Sequence, residues 1–187
     1  MAHMICATRL LSWFGACALG LIVWTAIPAV ALAQSSPSAE ARLKELDITL
    51  PPVPTPVANY VDAVRVGNLL FLSGNTPAAD WKYKGKVGRD LTVQEGYDTA
   101  HQVGLIMLAK VRNALGSLDR VKRVVKVFGM VNTAGDFGDQ PKVINGFSDL
   151  MVQVFGDAGK HARSAVGMAG LPFNNAVEVE MIVEVAE

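Results

Sequence analysis

The sequence predicts an α+β domain in which two helices pack on one β-sheet, and three observations point to it. Apolar side chains recur at helical spacing along 92–115 and again along 141–155. The segments around and between them are rich in valine or alternate apolar and polar residues, the pattern of half-buried strands. Composition changes at one place, near residue 33, and beyond it no internal repeat or second domain is visible.

Residues 1–33 hold one Arg, one His and no acid, together with both cysteines, Cys6 and Cys17. Arg9 precedes an uncharged run that ends in Pro28 and Ala31-Leu32-Ala33, a small-x-small tripeptide of the kind signal peptidases accept. This reads as an export signal cleaved after Ala33. The alternative is an uncleaved membrane anchor, because a run of this length could cross a bilayer. In either case the folded part is expected outside the cytoplasm, in the periplasm or an equivalent exported location, with membrane contact only through an uncleaved segment.

Residues 34–56 read as an N-terminal extension. Within it, 39–46 is a short amphipathic helical piece, and the prolines of 51–56 make an extended connector, since proline fixes φ and supplies no N–H. The domain proper, 57–187, opens with a hairpin: 61–66 alternates, Gly67-Asn68 turns, and 69–72 is β-prone. Residues 80–89 set Trp81 and Tyr83 among lysines and glycines, which suits a loop or a poor edge strand. Thr92 and Glu95 then have capping-box spacing, Tyr97 through Leu115 carry the first helical stripe, and Gly116 supplies a stop. After a β run at 121–131, Pro141 suits a first helical turn. Val143, Ile144, Phe147, Leu150, Met151 and Val154 mark a second helix ending at Gly156, and strands at 163–168 and 177–185 complete the order.

Residues 34–187 carry all 17 Asp+Glu against 16 Lys+Arg, a net charge of −1, and no cysteine. The body is therefore no disulfide scaffold, thiolate-metal protein or thiol-nucleophile enzyme. Near-zero charge is also a poor footprint for binding nucleic acid, and none is expected. His101 and His161 lack any H-x-x-x-H or carboxylate spacing, so no metal site is expected. No Walker loop, dinucleotide fingerprint or serine elbow is present, and Gly135-Asp136-Phe137-Gly138 reads as a turn. Glu178, Glu180 and Glu184 share one face of the last strand, which on pattern alone is a solvated face. Arg163 reads locally as a surface cation, and Arg120, Lys122, Arg123 and Lys126 as a solvated strand edge.

One further pattern carries chemistry. Ala162-Arg163-Ser164-Ala165-Val166, then Gly170-Leu171-Pro172, then Val177-Glu178-Val179-Glu180 resembles the C-terminal signature of the RidA/YjgF family, also called the endoribonuclease L-PSP family. Tyr60 with Val64 and Gly67-Asn68, Leu72-Ser73-Gly74 with Pro77, and Gly116-Ser117-Leu118 leading into Val124-Val125-Lys126-Val127 match in order, so the resemblance spans roughly 56–185.

The resemblance implies a chorismate-mutase-like, RidA-type fold with a mixed sheet, assembled as a homotrimer whose sheets face inward as a barrel-like core, with ligand clefts between subunits. It implies cofactor-free hydrolysis of reactive 2-imino or enamine acids, small carboxylates, to keto acids and ammonia. Arg163 matches the family's carboxylate-binding arginine, a planar donor suited to bidentate contact. Glu178 matches the glutamate that positions the attacking water. Tyr60, Ser73 and Gly74 match cleft-lining positions, and Asn145 is the candidate for a helix asparagine near the site. Where the family often has cysteine, this chain has Ala165, whose carbonyl could still accept from the imine nitrogen. His161 stands at a position where proline or alanine is common. Two other readings stay open: a non-catalytic trimer that binds small carboxylates at the same cleft, and the endoribonuclease of the family's older name, with which the net charge agrees poorly.

Overall fold

The computed structural model describes residues 37–53 and 58–187; the expected export segment, 1–33, and connector residues 54–56 lie outside the described residues. Strands β1 (Ala63–Val66) and β2 (Leu69–Asn75) form the expected hairpin, paired from Ala63↔Leu72 to Val66↔Leu69 around Gly67-Asn68. Helix α2 (Val93–Leu115) starts on a complete capping box: the Glu95 N–H donates to Thr92 Oγ1 at 3.2 Å and the Thr92 N–H to Glu95 Oε2 at 2.8 Å. Strand β3 (Val121–Asn132), helix α3 (Gln140–Phe155), strand β4 (Ala162–Met168) and strand β5 (Val177–Val185) follow, each within a residue or so of its predicted span.

The strands lie in the order β1-β2-β5-β3-β4, with β3 and β4 parallel and every other neighbouring pair antiparallel. Helix α3 makes the crossover that a parallel pair needs. Both long helices cover one face of the sheet. Val177, Val179, Met181, Val183 and Val185 of β5 are buried beneath them, as period-two alternation requires. The helices themselves approach closely: Gly146 of α3 lies against the Tyr97 carbonyl of α2, where any side chain would collide. The opposite face carries Glu178, Glu180, Ile182 and Glu184, with exposed Val64, Val66 and Phe71 beside them.

Two less regular segments settle onto this layer. The amphipathic piece expected at 39–46 forms helix α1 (Ala39–Glu45), which adds a third helix to the two predicted on the sheet and packs on α3 with Leu43 buried. Seven residues are too few to hold a helix by local forces, and long-range contacts do it instead. The Glu40 carboxylate accepts from Arg112 Nε and from the Leu118 N–H, both at 3.0 Å. Residues 80–89 form no strand; they touch neighbours through isolated bridges, Lys84 with Asn175 and Val87 with Leu91 and Thr133. Lys86 pins this loop by donating to Asn132 Oδ1 and to the carbonyls of Thr133 and Ala169. The basic run does lie along an edge, since β4 joins β3 only from Lys126 onward and leaves Lys122 and Arg123 exposed.

Candidate active site

A defect in the sheet creates the main cleft. Opposite β5, the register of β2 shifts between Leu72 and Asn75, so three steps along β2 match two along β5. Such a bulge bends the strand and re-aims its neighbours. Gly74 sits in it, and Glu178 Oε1 occupies the space a Cβ at Gly74 would take. The carboxylate therefore enters a cavity of about 600 Å³ whose walls include Tyr60, Asn75, Ile106, Lys110 and Phe173. Burial, and secondarily the charge of Glu180, push the Glu178 carboxyl above its usual range. Glu180 and Glu184 do not line this cavity: Glu180 is exposed, and Glu184 accepts from Asn68 Nδ2. Of three glutamates on one strand face, the bulge selects one.

Ser73 does not line the cavity. Its hydroxyl donates to the Val61 carbonyl at 2.7 Å, and its N–H to the Asp62 carbonyl at 3.0 Å, which fixes the segment bearing Tyr60. Lys110 comes from α2 with its side chain only 5% exposed and pairs with Asp62. Lys84 Nζ donates to Asn175 Oδ1 at 2.9 Å. Phe173 stands 81% exposed at the rim, in a turn (Pro172–Asn174) that gives it and Asn174 a φ of 55°. Lys110, Lys84 and Phe173 are not among the residues the sequence singles out. Only Lys110 had a signal, as a lysine on the apolar stripe of α2 three residues after Met107.

Arg163 belongs to a second cluster. Its pairing with Val127 places it on the helix-covered face of edge strand β4. Its Nη1 donates to Asn145 Oδ1 at 2.9 Å and to Ser148 Oγ at 3.0 Å, both on α3. Ser148 Oγ is 3.1 Å from His161 Nε2, and His161 Nδ1 is 2.7 Å from the Gly159 carbonyl. Burial is the main influence that lowers the His161 pKa, and the Arg163 charge adds to it. Ala165 lies on the same face as Arg163, paired with Gly129 and packed partly into the core. The sequence candidates thus divide: Tyr60, Gly74 and Glu178 share one cleft, Arg163, Asn145 and Ala165 lie together elsewhere, and Ser73 braces the first group. Among the described residues no three His, Cys, Asp or Glu side chains gather as a metal site.

The family model described as "YjgF/chorismate_mutase-like, putative endoribonuclease" matches residues 40–185. The chain belongs to this YjgF/chorismate-mutase-like family. Protein TCP17 of Trypanosoma cruzi is 46% identical to it over 147 residues, 77% of this chain and 92% of that protein. The 2-iminobutanoate/2-iminopropanoate deaminase of Dermatophagoides farinae is 33% identical over 141 residues, 73% of this chain and 93% of that one. The crystal structure of "a putative endoribonuclease" from Shewanella oneidensis MR-1 matches with a TM-score of 0.76 and 32% identity, covering 80% of this chain and 100% of the other. The YjgF/chorismate-mutase-like fold is therefore the one observed, three helices on a mixed five-stranded sheet.

Proposed function

We propose that the protein hydrolyses reactive 2-imino or enamine acids to 2-keto acids and ammonia, at clefts completed between copies of the chain in a homotrimer, without a cofactor. The observation that carries this reading is the Glu178 carboxylate, held over Gly74 in a half-open cleft with its pKa raised, where a general base for water would be placed. Glu178 takes a proton from water as the oxygen attacks C2 of the imine and passes it to the imine nitrogen, which gives the tetrahedral carbinolamine. As the carbinolamine collapses, Glu178 takes the hydroxyl proton, the C–N bond breaks, and that proton goes to the departing ammonia. Arg163 clamps the substrate carboxylate through its free Nε–Nη2 edge.

Within one chain Arg163 and Glu178 lie on opposite faces of the sheet. A carboxylate and its C2 are one bond apart, so a substrate that meets both residues lies between two copies. The exposed apolar face bearing Val64, Val66 and Phe71 gives such an assembly a surface to bury. Cleavage after Ala33 would place this assembly outside the cytoplasm.

The test generates 2-iminobutanoate in situ and follows keto-acid formation. Arg163→Ala and Glu178→Gln are each expected to be inactive, and unfolding and refolding the two together is expected to restore part of the activity through mixed trimers. Full activity in Arg163→Ala refutes the site. Binding of 2-oxobutanoate that depends on Arg163, with no turnover, would instead make the protein a carboxylate binder.

A further inference from the structure

We propose that Ser148 and His161 are positioning residues for Arg163: with Asn145 they anchor its guanidinium by Nη1 alone and leave the Nε–Nη2 edge to receive a carboxylate. The inference rests on Arg163 being the carboxylate clamp, and it follows from accounting for each hydrogen.

A guanidinium has five N–H donors in a rigid plane, two of them on Nη1. Both are matched, one by Asn145 Oδ1 at 2.9 Å and one by Ser148 Oγ at 3.0 Å. Nε and Nη2 have no acceptor among the described residues. Two acceptors on one nitrogen fix the plane of the group, and the remaining parallel pair of donors is the side-on fork that a carboxylate fits.

The Ser148 hydroxyl holds this arrangement best when its own hydrogen is directed away from Arg163. His161 Nε2, 3.1 Å from Ser148 Oγ, can take that hydrogen only if its nitrogen carries a lone pair. The other end of the ring decides the tautomer. His161 Nδ1 is 2.7 Å from the Gly159 carbonyl, which can only accept, so the ring proton sits on Nδ1 and Nε2 is the acceptor. Burial and the neighbouring Arg163 charge both favour the neutral ring that this requires. The polarity then runs one way: Arg163 Nη1–H to Ser148 Oγ, Ser148 O–H to His161 Nε2, His161 Nδ1–H to Gly159. Ser148 and Asn145 share α3, and Gly159 closes the turn (Gly156–Gly159) that follows it, so the relay ties β4 to one rigid element.

A Ser–His pair can also serve as a nucleophile and its base, but the surroundings oppose that here. Ser148 lies in the interior of α3, where backbone N–H groups are engaged within the helix and offer no pair of donors to an oxyanion.

The test measures the affinity of the full chain for 2-oxobutanoate by calorimetry, which needs no turnover, and uses pairs of variants of matched shape. Ser148→Val and His161→Leu, which remove the hydroxyl and the acceptor, are expected to weaken binding by about threefold to tenfold, the worth of one hydrogen bond. Ser148→Thr and His161→Gln keep a hydroxyl and an acceptor and are expected to bind nearly as the parent does. Because His161 acts through Ser148, the double variant Ser148→Val/His161→Leu should bind no more weakly than Ser148→Val. Equal affinity in Ser148→Val and Ser148→Thr overturns the inference, and so do losses that multiply in the double variant. Binding that survives Arg163→Ala is a different failure, since it removes the clamp itself.

Discussion

Replacing Gly74 by alanine separates the catalytic geometry from the stability of the fold. Gly74 lies outside the positive-φ region, so alanine is compatible with its backbone. Restricting the unfolded chain at such a site stabilises a protein by about 0.4–1 kcal/mol. Against this, the new methyl would fall well inside van der Waals contact with Glu178 Oε1. Restoring a normal separation of about 3.5 Å moves the carboxylate by on the order of 1 Å. Because Oε1 ends a flexible side chain, the motion costs little stability, but it displaces the proposed base from the water it serves. Misplacement of a catalytic group on that scale costs about 100-fold in rate. Gly74→Ala is therefore expected to keep the parent's thermal midpoint within a few degrees while kcat/KM for 2-iminobutanoate falls about 100-fold. Initial rates of keto-acid formation from imine generated in situ, with a melting curve on the same sample, measure both. A folded Gly74→Ala protein with unchanged kcat/KM would refute the assignment of Glu178 in this position as the base.

Two further outcomes follow from the charges around the cleft. Because burial raises the Glu178 pKa in the folded state, the folded protein holds that proton more tightly than the unfolded chain, so its contribution to stability is present at low pH and is lost as pH rises through the raised pKa. Activity that needs the ionised base should show the opposite trend, and Glu178→Gln should abolish turnover yet melt no lower than the parent at neutral pH; a clear loss of Tm in Glu178→Gln contradicts this. The Asp62–Lys110 pair is asymmetric, with side chains 20% and 5% exposed. Asp62→Asn strands a buried ammonium and is expected to cost up to about 3–5 kcal/mol in chemical denaturation. Lys110→Met leaves a carboxylate that reaches water and should cost distinctly less, so equal costs would count against the pairing.

What could be read from the sequence is what local forces decide. The Thr92 capping box, the Gly116 stop at φ 83° and the valine alternation of β5 are set within a few residues of themselves, and each stands where it was predicted. What local pattern does not show is which partners, far along the chain, hold the less regular pieces in place. Helix α1 is held by Glu40 on Arg112, and the 80–89 loop by Lys86 on Asn132, Thr133 and Ala169. Strand pattern likewise leaves Glu178, Glu180 and Glu184 alike on β5; the family resemblance singles out the first, and a one-residue bulge on β2 makes room for it.

The same limit applies most sharply to Arg163 and Glu178. Period-two alternation says which residues of one strand share a face, but it says nothing about which face of β4 corresponds to which face of β5. Strand β3 supplies that link, being paired with both: Val127 stands beside Arg163, and Met130 beside Glu178. Positions 127 and 130 are an odd number of residues apart, so their side chains point to opposite faces, and Arg163 and Glu178 do likewise. A one-residue slip of either pairing would have put both on one face and allowed a site within a single chain. With the observed register, a small imino acid held by the guanidinium cannot meet the carboxylate of the same chain. If both residues act on one substrate, assembly is a condition of the chemistry, and activity should disappear on dilution below the dissociation constant of the assembly even while each chain remains folded.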